Sequence, residues 1–310
     1  MSPCRPTALL AALLAALGAG VALAQGQPPG RTGADSWLDN LSISATASTA
    51  WVKNISRTSY APSRENALTY DFGVNASRHQ QLAPSWLLTL GAGAEYLVVP
   101  DYDRTSHGQT GVRTGLQKKF GLGPLAPVVQ FDTGYTYKAA RFAGDRGWTA
   151  DTGLRLTKRL DPALQVTLSG RWLQHNAASA IFDIQQRSYS IEAVWDLNDR
   201  WRLTGSAGRL QGTIVANAEW SVWGKAISGV FGPVVSTYYN SNPWGVTSLY
   251  GPGWVSYNVQ AHVDLWSLSL ACAVTERLTA EISAGSAFVV NKIGVRYPTE
   301  SWGLGLNYRF

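Results

Sequence analysis

Acidic and basic side chains recur at every second position along many segments of this sequence. In an extended strand, alternate side chains point to the same side, so these charges would share one polar face. Charges taken out of bulk water need partners or water of their own. Either the acids and bases pair and fill an interior, or they line a wet channel whose field orders ions and polar solutes. We assign to this inner face Asp71, Glu95, Arg113, Asp132, Asp151, Arg155, Arg171, Glu192, His262 and Asp264.

Glycine is frequent on the same polar face. Because glycine has no side chain, it leaves space between the charges, and this favours the channel over the filled interior. The alternative for any single charge is a paired residue of the wall. The glycines in question are Gly73, Gly91, Gly93, Gly115, Gly134, Gly153, Gly303 and Gly305.

Residues 216–253 form the longest stretch without a strand pattern, and they are rich in aromatic rings. A stretch of this length in a compact domain is usually functional or disordered, and so many rings argue against disorder. It could fold into a mouth as a constriction, offer a binding surface for sugars or a surface partner, or act as a cap. The rings that we assign to constriction or binding are Trp220, Trp223, Tyr238, Tyr239, Trp244 and Tyr250.

Enzyme chemistry has little support in the sequence. A surface hydrolase needs a nucleophile beside a base, and His262 lies two residues before Asp264 with no nucleophile near in the sequence. His175 is followed by Ser179, but no convincing motif joins them. No Cys/His group has the spacing of a metal site, and Asp101 with Asp103 is interpreted as an exposed acidic loop. We therefore predict no catalytic residue, no metal and no cofactor.

The elements that position these residues are strands, because from Leu41 onward the apolar period is two. Between Trp86 and Val98, for example, every second residue is apolar or small, and Glu95 lies on the other face. Phase slips near Gly208 and Trp266 are interpreted as bulges. The twelve predicted segments are 41–53, 67–78, 86–98, 109–120, 127–139, 147–158, 164–176, 187–197, 201–214, 254–274, 278–290 and 301–310.

Short and long connections alternate between these segments, and aromatic residues lie at the segment ends with aliphatic residues between them. Two aromatic girdles around an aliphatic belt are typical of a strand protein in a bilayer. Because lipid cannot satisfy backbone hydrogen bonds, such a sheet must close on itself. We predict an all-β fold: a single closed antiparallel transmembrane β-barrel of about 12 strands over residues 41–310, with 216–253 as a long extracellular loop.

The N-terminal residues predict export. Arg5 precedes an apolar run that ends in Ala22-Leu23-Ala24, so residues 1–24 are interpreted as a signal peptide and 25–40 as a flexible lead-in. The alternative for the apolar run is an uncleaved anchor helix. The net charge is +6, but the basic residues are scattered among acids, so we predict no nucleic-acid partner.

The last nine residues alternate in a way that identifies a class of protein. The apolar positions are Trp302, Leu304, Leu306, Tyr308 and Phe310, with Gly305 between them. This strand resembles the assembly signal of Gram-negative outer-membrane β-barrel proteins, with Gly303 as a small departure from the usual polar residue. The resemblance implies export to the periplasm, insertion by the barrel assembly machinery, contact with outer-membrane lipid, and both ends of the barrel chain toward the periplasm.

The layout also resembles twelve-stranded barrels of several functions: small porins, autotransporter translocator domains, outer-membrane phospholipase and a lipid A deacylase. None of their specific motifs matches, so the sequence identifies no family within the superfamily. The function that it favours is a passive porin-like channel for small polar solutes. The alternatives are a structural or surface-binding barrel without a conducting pore, and a lipid-modifying hydrolase.

Overall fold

The computed structural model describes residues 41–310, and the predicted signal peptide (1–24) and lead-in (25–40) lie outside the described residues. Twelve long strands and one short strand make up the sheet. They are β1 Leu41–Lys53, β2 Ala67–Ala83, β3 Trp86–Val98, β4 His107–Lys119, β5 Val128–Ala140, β6 Gly147–Arg159, β7 Leu164–Ala177, β8 Ile184–Asp196, β9 Trp201–Glu219, β10 Trp244–Val246, β11 Trp254–Ala273, β12 Leu278–Asn291 and β13 Arg296–Arg309.

The sheet closes into a barrel. Each long strand pairs antiparallel with the next, and β1 pairs with both β2 and β13, so that Trp51 is opposite Leu68 on one side and Trp302 on the other. Closure gives the backbone groups of every long strand a partner, as a strand protein in lipid requires. The predicted single closed antiparallel barrel of about 12 strands is confirmed. Within residues 41–310 no helix is long and apolar enough to cross a bilayer.

The two faces of the wall differ as the alternation predicted. Apolar side chains such as Leu90, Leu154 and Leu306 point outward and are about half exposed (45%, 55% and 52%). Trp51 and Trp302 pair near one rim, while Trp195 and Trp201 lie near the other. This exterior fits a bilayer with an interface on each side.

Short turns lie at one rim and longer connections at the other, and we call the rim of the longer connections the outer end of the barrel. The short ones include 84–85, 160–163 and 197–200, and the longest is 220–253. Four of the longer connections contain short 3₁₀ segments, at Ala61–Ser63, Pro100–Thr105 (with a kink at Tyr102), Ala143–Asp145 and Ala180–Phe182. The predicted segment boundaries differ from the strands by five residues at three places, and the first is the end of β2, which continues to Ala83. β9 continues to Glu219, because it stays paired with β11, and β13 already begins at Arg296.

Residues 220–253, which we call the mouth segment, carry secondary structure of their own. They form helix α1 (Trp220–Ile227), helix α2 (Pro233–Asn240) and strand β10, which pairs with the outer end of β11. Pro233 opens α2 at a position where a missing N–H costs nothing, and Gly232 before it has φ +105°, a conformation that favours glycine.

The predicted bulges near Gly208 and Trp266 are wrong. The register between β9 and β11 runs without a shift from Glu219 opposite Trp254 to Trp201 opposite Cys272. The apolar residues change sides for another reason. Toward the outer end of these two strands the inner face is covered by the mouth segment, and the outer face becomes polar.

The outer ends of β9 and β11 leave the wall at Gly212. The last β8–β9 pair is Gln186 with Gly212, whose φ is +139°, and a Cβ there would lie 2.0 Å from the Gln185 carbonyl oxygen. Beyond it, Asn217 donates to the Ser56 carbonyl (2.8 Å) and Asn258 to the Asp183 carbonyl (2.5 Å). Because these acceptors belong to connections on different sides of the ring, the β9–β11 hairpin lies across the barrel mouth.

Candidate functional site

The mouth segment packs its rings against the inner wall of the barrel. Trp223 stacks on Tyr257 of β11 with ring centroids 4.6 Å apart, and the edge of Tyr239 meets it at 4.9 Å. Trp223 and Tyr239 are only 1% and 5% exposed. The cluster continues over the inward side chains of β9, β12 and β13, including Tyr297. The hydrophobic core of this protein therefore lies inside the outer mouth of the barrel.

Tyrosine hydroxyls fix the mouth segment in place. The Tyr239 hydroxyl accepts from the Asn291 side chain (3.2 Å), and the Tyr238 hydroxyl accepts from the Gln260 N–H (3.1 Å). The Tyr250 hydroxyl donates to the Ile55 carbonyl (2.9 Å) in the β1–β2 connection. Burial raises the pKa of Tyr250 to about 12, so this donor keeps its proton at neutral pH.

The remaining predicted rings extend the same cluster outward. Trp244 lies 5.5 Å from Trp223 between ring centroids, and Trp220 lies 6.3 Å from Trp244 and is 49% exposed. Of the three interpretations open from the sequence, this geometry fits a constriction or a cap rather than a binding surface, because Trp223 and Tyr239 are buried in the mouth.

Below the mouth, a cavity of about 640 Å³ lies against the inner wall of β2 to β7. Its floor is a group of five charged residues, which we call the arginine arc: Arg113, Arg155, Arg171, Asp132 and Asp151. Arg155 binds Asp132 with 2.7 Å between Nη2 and Oδ2. Arg113 and Arg171 share Asp151, with Nη2 to Oδ2 distances of 3.1 and 2.9 Å.

The two kinds of charge in the arginine arc are buried to different extents. The side chains of Asp132 and Asp151 are 7% and 5% exposed, whereas those of the three arginines are 45–50% exposed. The carboxylates thus lie against the wall and the guanidinium groups cover them. The surface that a solute would meet is cationic, although each arginine has an acidic partner.

The ion pairs of the inner wall run along it. Within residues 41–310, Arg155–Asp132, Arg171–Asp151 and Arg202–Asp196 each join adjacent strands, and Arg113–Asp151 spans one intervening strand. The sequence left two arrangements open, charges that pair across the lumen and fill it, and charges that line a cavity. The described pairs have the second arrangement.

Glycine makes the longer ion pair sterically feasible. Arg113 on β4 reaches Asp151 on β6 over Gly134 of β5. A Cβ at Gly134 would lie 2.7 Å from Asp151 Oδ1 and 3.4 Å from Arg113 Nε. Gly115 has the same relation to Asp132, whose Oδ1 would be 2.8 Å from an added Cβ. The inward glycines therefore let charged side chains lie flat across their strands.

We expect Gly134→Ala to lower the free energy of unfolding in detergent micelles by about 1.5–3 kcal/mol, because it disrupts a charge-assisted hydrogen bond to a buried carboxylate. The matched control is Gly153→Ala on the neighbouring strand. Its Cβ would meet only ordinary contacts, 3.6 Å from the Gly170 carbonyl oxygen and 4.0 Å from the Arg171 side chain. Urea titration followed by tryptophan fluorescence measures both variants. Equal effects of the two substitutions would contradict this steric account.

Of the other five residues predicted on the inner face, three point inward and two point outward. Glu95 faces the cavity, while Asp71 and Glu192 point inward but do not line it. His262 and Asp264 were wrongly assigned to the lumen. Since β11 has no bulge, both share the outward parity of Trp266, and Asp264 binds Arg209 on the exterior with 2.7 Å between Oδ1 and Nε.

Sequence reasoning also missed the inner-wall residues that receive the mouth segment. Val255, Tyr257 and Val259 of β11 alternate with Ser256 and Asn258, and all five are at most 6% exposed. The sequence did contain a signal for this: in the stretch before Gln260 every second residue is apolar, and the residues between them are uncharged. That pattern predicts a strand buried on both faces rather than a lipid-facing one.

The C-terminal strand presents its apolar residues to the outside. Trp302, Leu304, Leu306 and Tyr308 alternate along β13 on the outer face, and the first three are 43%, 60% and 52% exposed. Phe310 follows the strand, donates its N–H to the Ile43 carbonyl (3.0 Å) and places its ring 4.9 Å from that of Tyr308.

At the outer rim, His175 makes contacts that hold neighbouring side chains in place. Nδ1 of His175 lies 2.8 Å from the Thr149 hydroxyl, and its Nε2 lies 3.7 Å from Asp145, which Lys138 binds at 2.6 Å. Burial would raise the pKa of Asp145, but the contacts with His175 and Lys138 together lower it. The Asp145 carboxylate of the β5–β6 connection is therefore occupied by these two contacts.

In the described part of the chain no three His, Cys, Asp or Glu side chains form a group that could hold a metal.

No protein-family profile and no curated protein sequence matches this chain. Solved structures do resemble it. An outer membrane channel from Pseudomonas putida F1 is 11% identical with a TM-score of 0.57, covering 92% of this chain and 100% of its own. The KdgM and NanC porins are 7% and 8% identical, with TM-scores of 0.41 and 0.43, and cover 86% and 85% of this chain and 99% and 98% of theirs. The first similarity agrees with the barrel fold.

Proposed function

We propose that this protein is a passive outer-membrane channel for small polar solutes, with the mouth segment narrowing its outer entrance. The observation that carries the proposal is the direction of the inner-wall ion pairs. Because the arginine arc pairs along the wall, a polar cavity of about 640 Å³ is left beside it. A wet, charged wall of this kind suits ions and small hydrophilic molecules.

Several features support the location. The aliphatic exterior with its aromatic rims fits a bilayer, and the similar Pseudomonas putida protein is described as an outer membrane channel. The outward apolar residues of β13 support recognition by the barrel assembly machinery. The start of β1 and the end of β13 lie together at the rim of the short turns, where Ser44 is opposite Arg309. That rim would face the periplasm, and outer-membrane lipid would surround the wall.

Conductance tests the proposal directly. Purified, refolded protein reconstituted into planar bilayers in potassium chloride should give discrete current steps. Protein whose barrel has been denatured before addition is the control for detergent artefacts. Insertion that is proven by protease protection, without current steps at any applied voltage, would contradict the channel.

The covered mouth favours one other candidate, a structural barrel without a conducting pore. In that case the hairpin over the mouth and the aromatic cluster would act as a permanent seal. Swelling of protein-containing liposomes in small sugars separates the two functions. A channel admits the sugars at a rate that falls with their size, whereas a sealed barrel admits none.

A further inference from the structure

The outer face of β11 changes character abruptly along its length. Its outward residues Leu268 and Trp266 are about half exposed (48% and 52%), as lipid-facing residues are. The next outward residues toward the mouth are Asp264, His262 and Gln260, all exposed. The outer edge of the apolar belt on this strand therefore lies between Trp266 and Asp264.

The same boundary recurs on β1 and β13. Trp51 and Trp302 pair at the edge of the belt, and the next outward pair is the ion pair Lys53–Glu300 (3.1 Å). The Lys53 amine also lies 4.6 Å from the centre of the Trp302 ring. On β9 and β11, the ion pair Arg209–Asp264 occupies the corresponding place next to Trp266. Both pairs lie where the headgroups of a bilayer would be.

Immediately beyond this boundary, the exterior of β8, β9 and β11 contains a second cavity, of about 620 Å³. It lies where β9 separates from β8, because the pairing of these two strands ends at Gly212. We call it the outer cavity. Its polar side-chain lining consists of Gln185, Gln186, Arg187, Gln211, Gln260, His262 and Lys292.

The charge of the outer cavity is unbalanced. No acidic residue lines it, and the carboxylate of Asp264, two residues from His262, is bound by Arg209 in a bidentate pair (2.7 and 3.1 Å). Arg187 and Lys292 form no ion pair with any residue between 41 and 310. Two unpaired cations surrounded by amide donors form a site that complements a phosphate ester.

The direction in which the outer cavity faces identifies the source of that phosphate. Arg187 is opposite Trp172 on β7 and Gln211 on β9, so it points to the membrane side of the wall and not into the lumen. We propose that the outer cavity binds the phosphorylated headgroup of an outer-leaflet lipid. Arg187 and Lys292 contact the phosphate, and Gln211, Gln260 and His262 bond its polar neighbours. This site is independent of whether the barrel conducts.

Binding of purified protein to lipid A that carries both phosphates, measured in detergent by native mass spectrometry or microscale thermophoresis, tests the proposal. The double variant Arg187→Gln with Lys292→Gln should bind about 25-fold more weakly, roughly fivefold for each charge removed near the membrane surface. The matched control is Lys118→Gln with Lys158→Gln, which removes the same charge from the exterior near the opposite rim. Its affinity should stay within about twofold of that of the wild type.

Two further measurements use the unaltered protein, so they do not depend on how a variant folds. Dephosphorylated lipid A should bind as weakly as the double variant binds the phosphorylated form. Equal affinity of the wild type for the two lipids would overturn the proposal, and so would equal losses in both double variants. Inorganic phosphate bound as tightly as the lipid would assign the site to a free anion and would overturn the lipid assignment.

Discussion

Replacing the mouth segment with a two-residue Asn-Gly turn should raise the single-channel conductance several-fold. The buried rings of Trp223 and Tyr239 occupy the outer mouth against Tyr257, and these two rings would be absent from the shortened chain. Because ionic current scales with the open cross-section at the narrowest point, widening that point dominates the change. Planar-bilayer recordings of the wild type and the shortened chain measure it.

The structure shows why the shortened chain should still fold. Glu219 is directly opposite Trp254, and the Trp220 N–H donates to the Gly253 carbonyl at 3.1 Å, so the two ends of the mouth segment already meet. A two-residue type I′ turn closes an antiparallel pair at that spacing, and Asn-Gly is its preferred sequence. All twelve long strands keep their pairing partners.

The control leaves the mouth segment in place and changes only its solvent side. Val230 and Val234 are 69% and 74% exposed, and replacing both by Ser should leave the conductance within about 20% of the wild type, because exposed substitutions away from packed groups have small effects. A shortened chain that conducts exactly as the wild type does would show that the segment covers the rim without narrowing the path.

Changing Arg113, Arg155 and Arg171 together to Gln should reverse the preference of the cavity from anions to cations. These guanidinium groups present the cationic surface, and the carboxylates beneath them would remain. The ratio of chloride to potassium permeability, obtained from the reversal potential in a salt gradient, should fall by about an order of magnitude, since a shift of 1.4 kcal/mol in relative barrier height is tenfold.

Removing the arginines alone would leave the carboxylates of Asp132 and Asp151 buried without a cationic partner, which destabilises a fold strongly. A second variant, which also changes these two residues to Asn, keeps the wall neutral and should lose selectivity without becoming cation-selective. Arg209→Gln is the control for charge on the exterior, because Arg209 binds Asp264 outside the lumen. An unchanged reversal potential in the triple variant would exclude the arginine arc from the ion path.

The fold was predictable because the exterior and the interior of the barrel carry different residue types at alternate positions. Every strand from β2 to β8 alternates between apolar residues outside and polar residues inside, so its identity and facing follow from a period of two. The aromatic rims and the apolar alternation up to Phe310 are the features that predicted an outer-membrane location. The inward position of eight predicted charged residues, Arg113 and Asp151 among them, follows from the same alternation.

Beyond the apolar belt of the exterior, that rule no longer holds. Beyond Gly212 and Asp264 the outside of the wall faces water and other connections, and the inside faces the mouth segment, so apolar residues appear on the opposite side. From the alternation of residue types alone, this reversal was interpreted as a bulge, and His262 and Asp264 were therefore predicted to lie in the lumen. The pairing register of β9 with β11 was needed to resolve it.

The helices of the mouth segment were beyond prediction for a related reason. α1 and α2 have eight residues each, too short for a helix to form without tertiary contacts, and those contacts come from the inner faces of β9, β11, β12 and β13. Their rings predicted that the segment is ordered but not where it docks.

Closure through β1 and β13 has a consequence for how the molecule forms. Lys53 and Glu300 are 247 residues apart in the chain, yet they are opposite each other in the finished wall. Hairpins between consecutive strands can nucleate early and locally, while this seam must wait until both distant edges exist and meet. Until then, each edge exposes a row of unsatisfied amides that invites pairing with another chain, so the slowest step of maturation is also the one most vulnerable to aggregation.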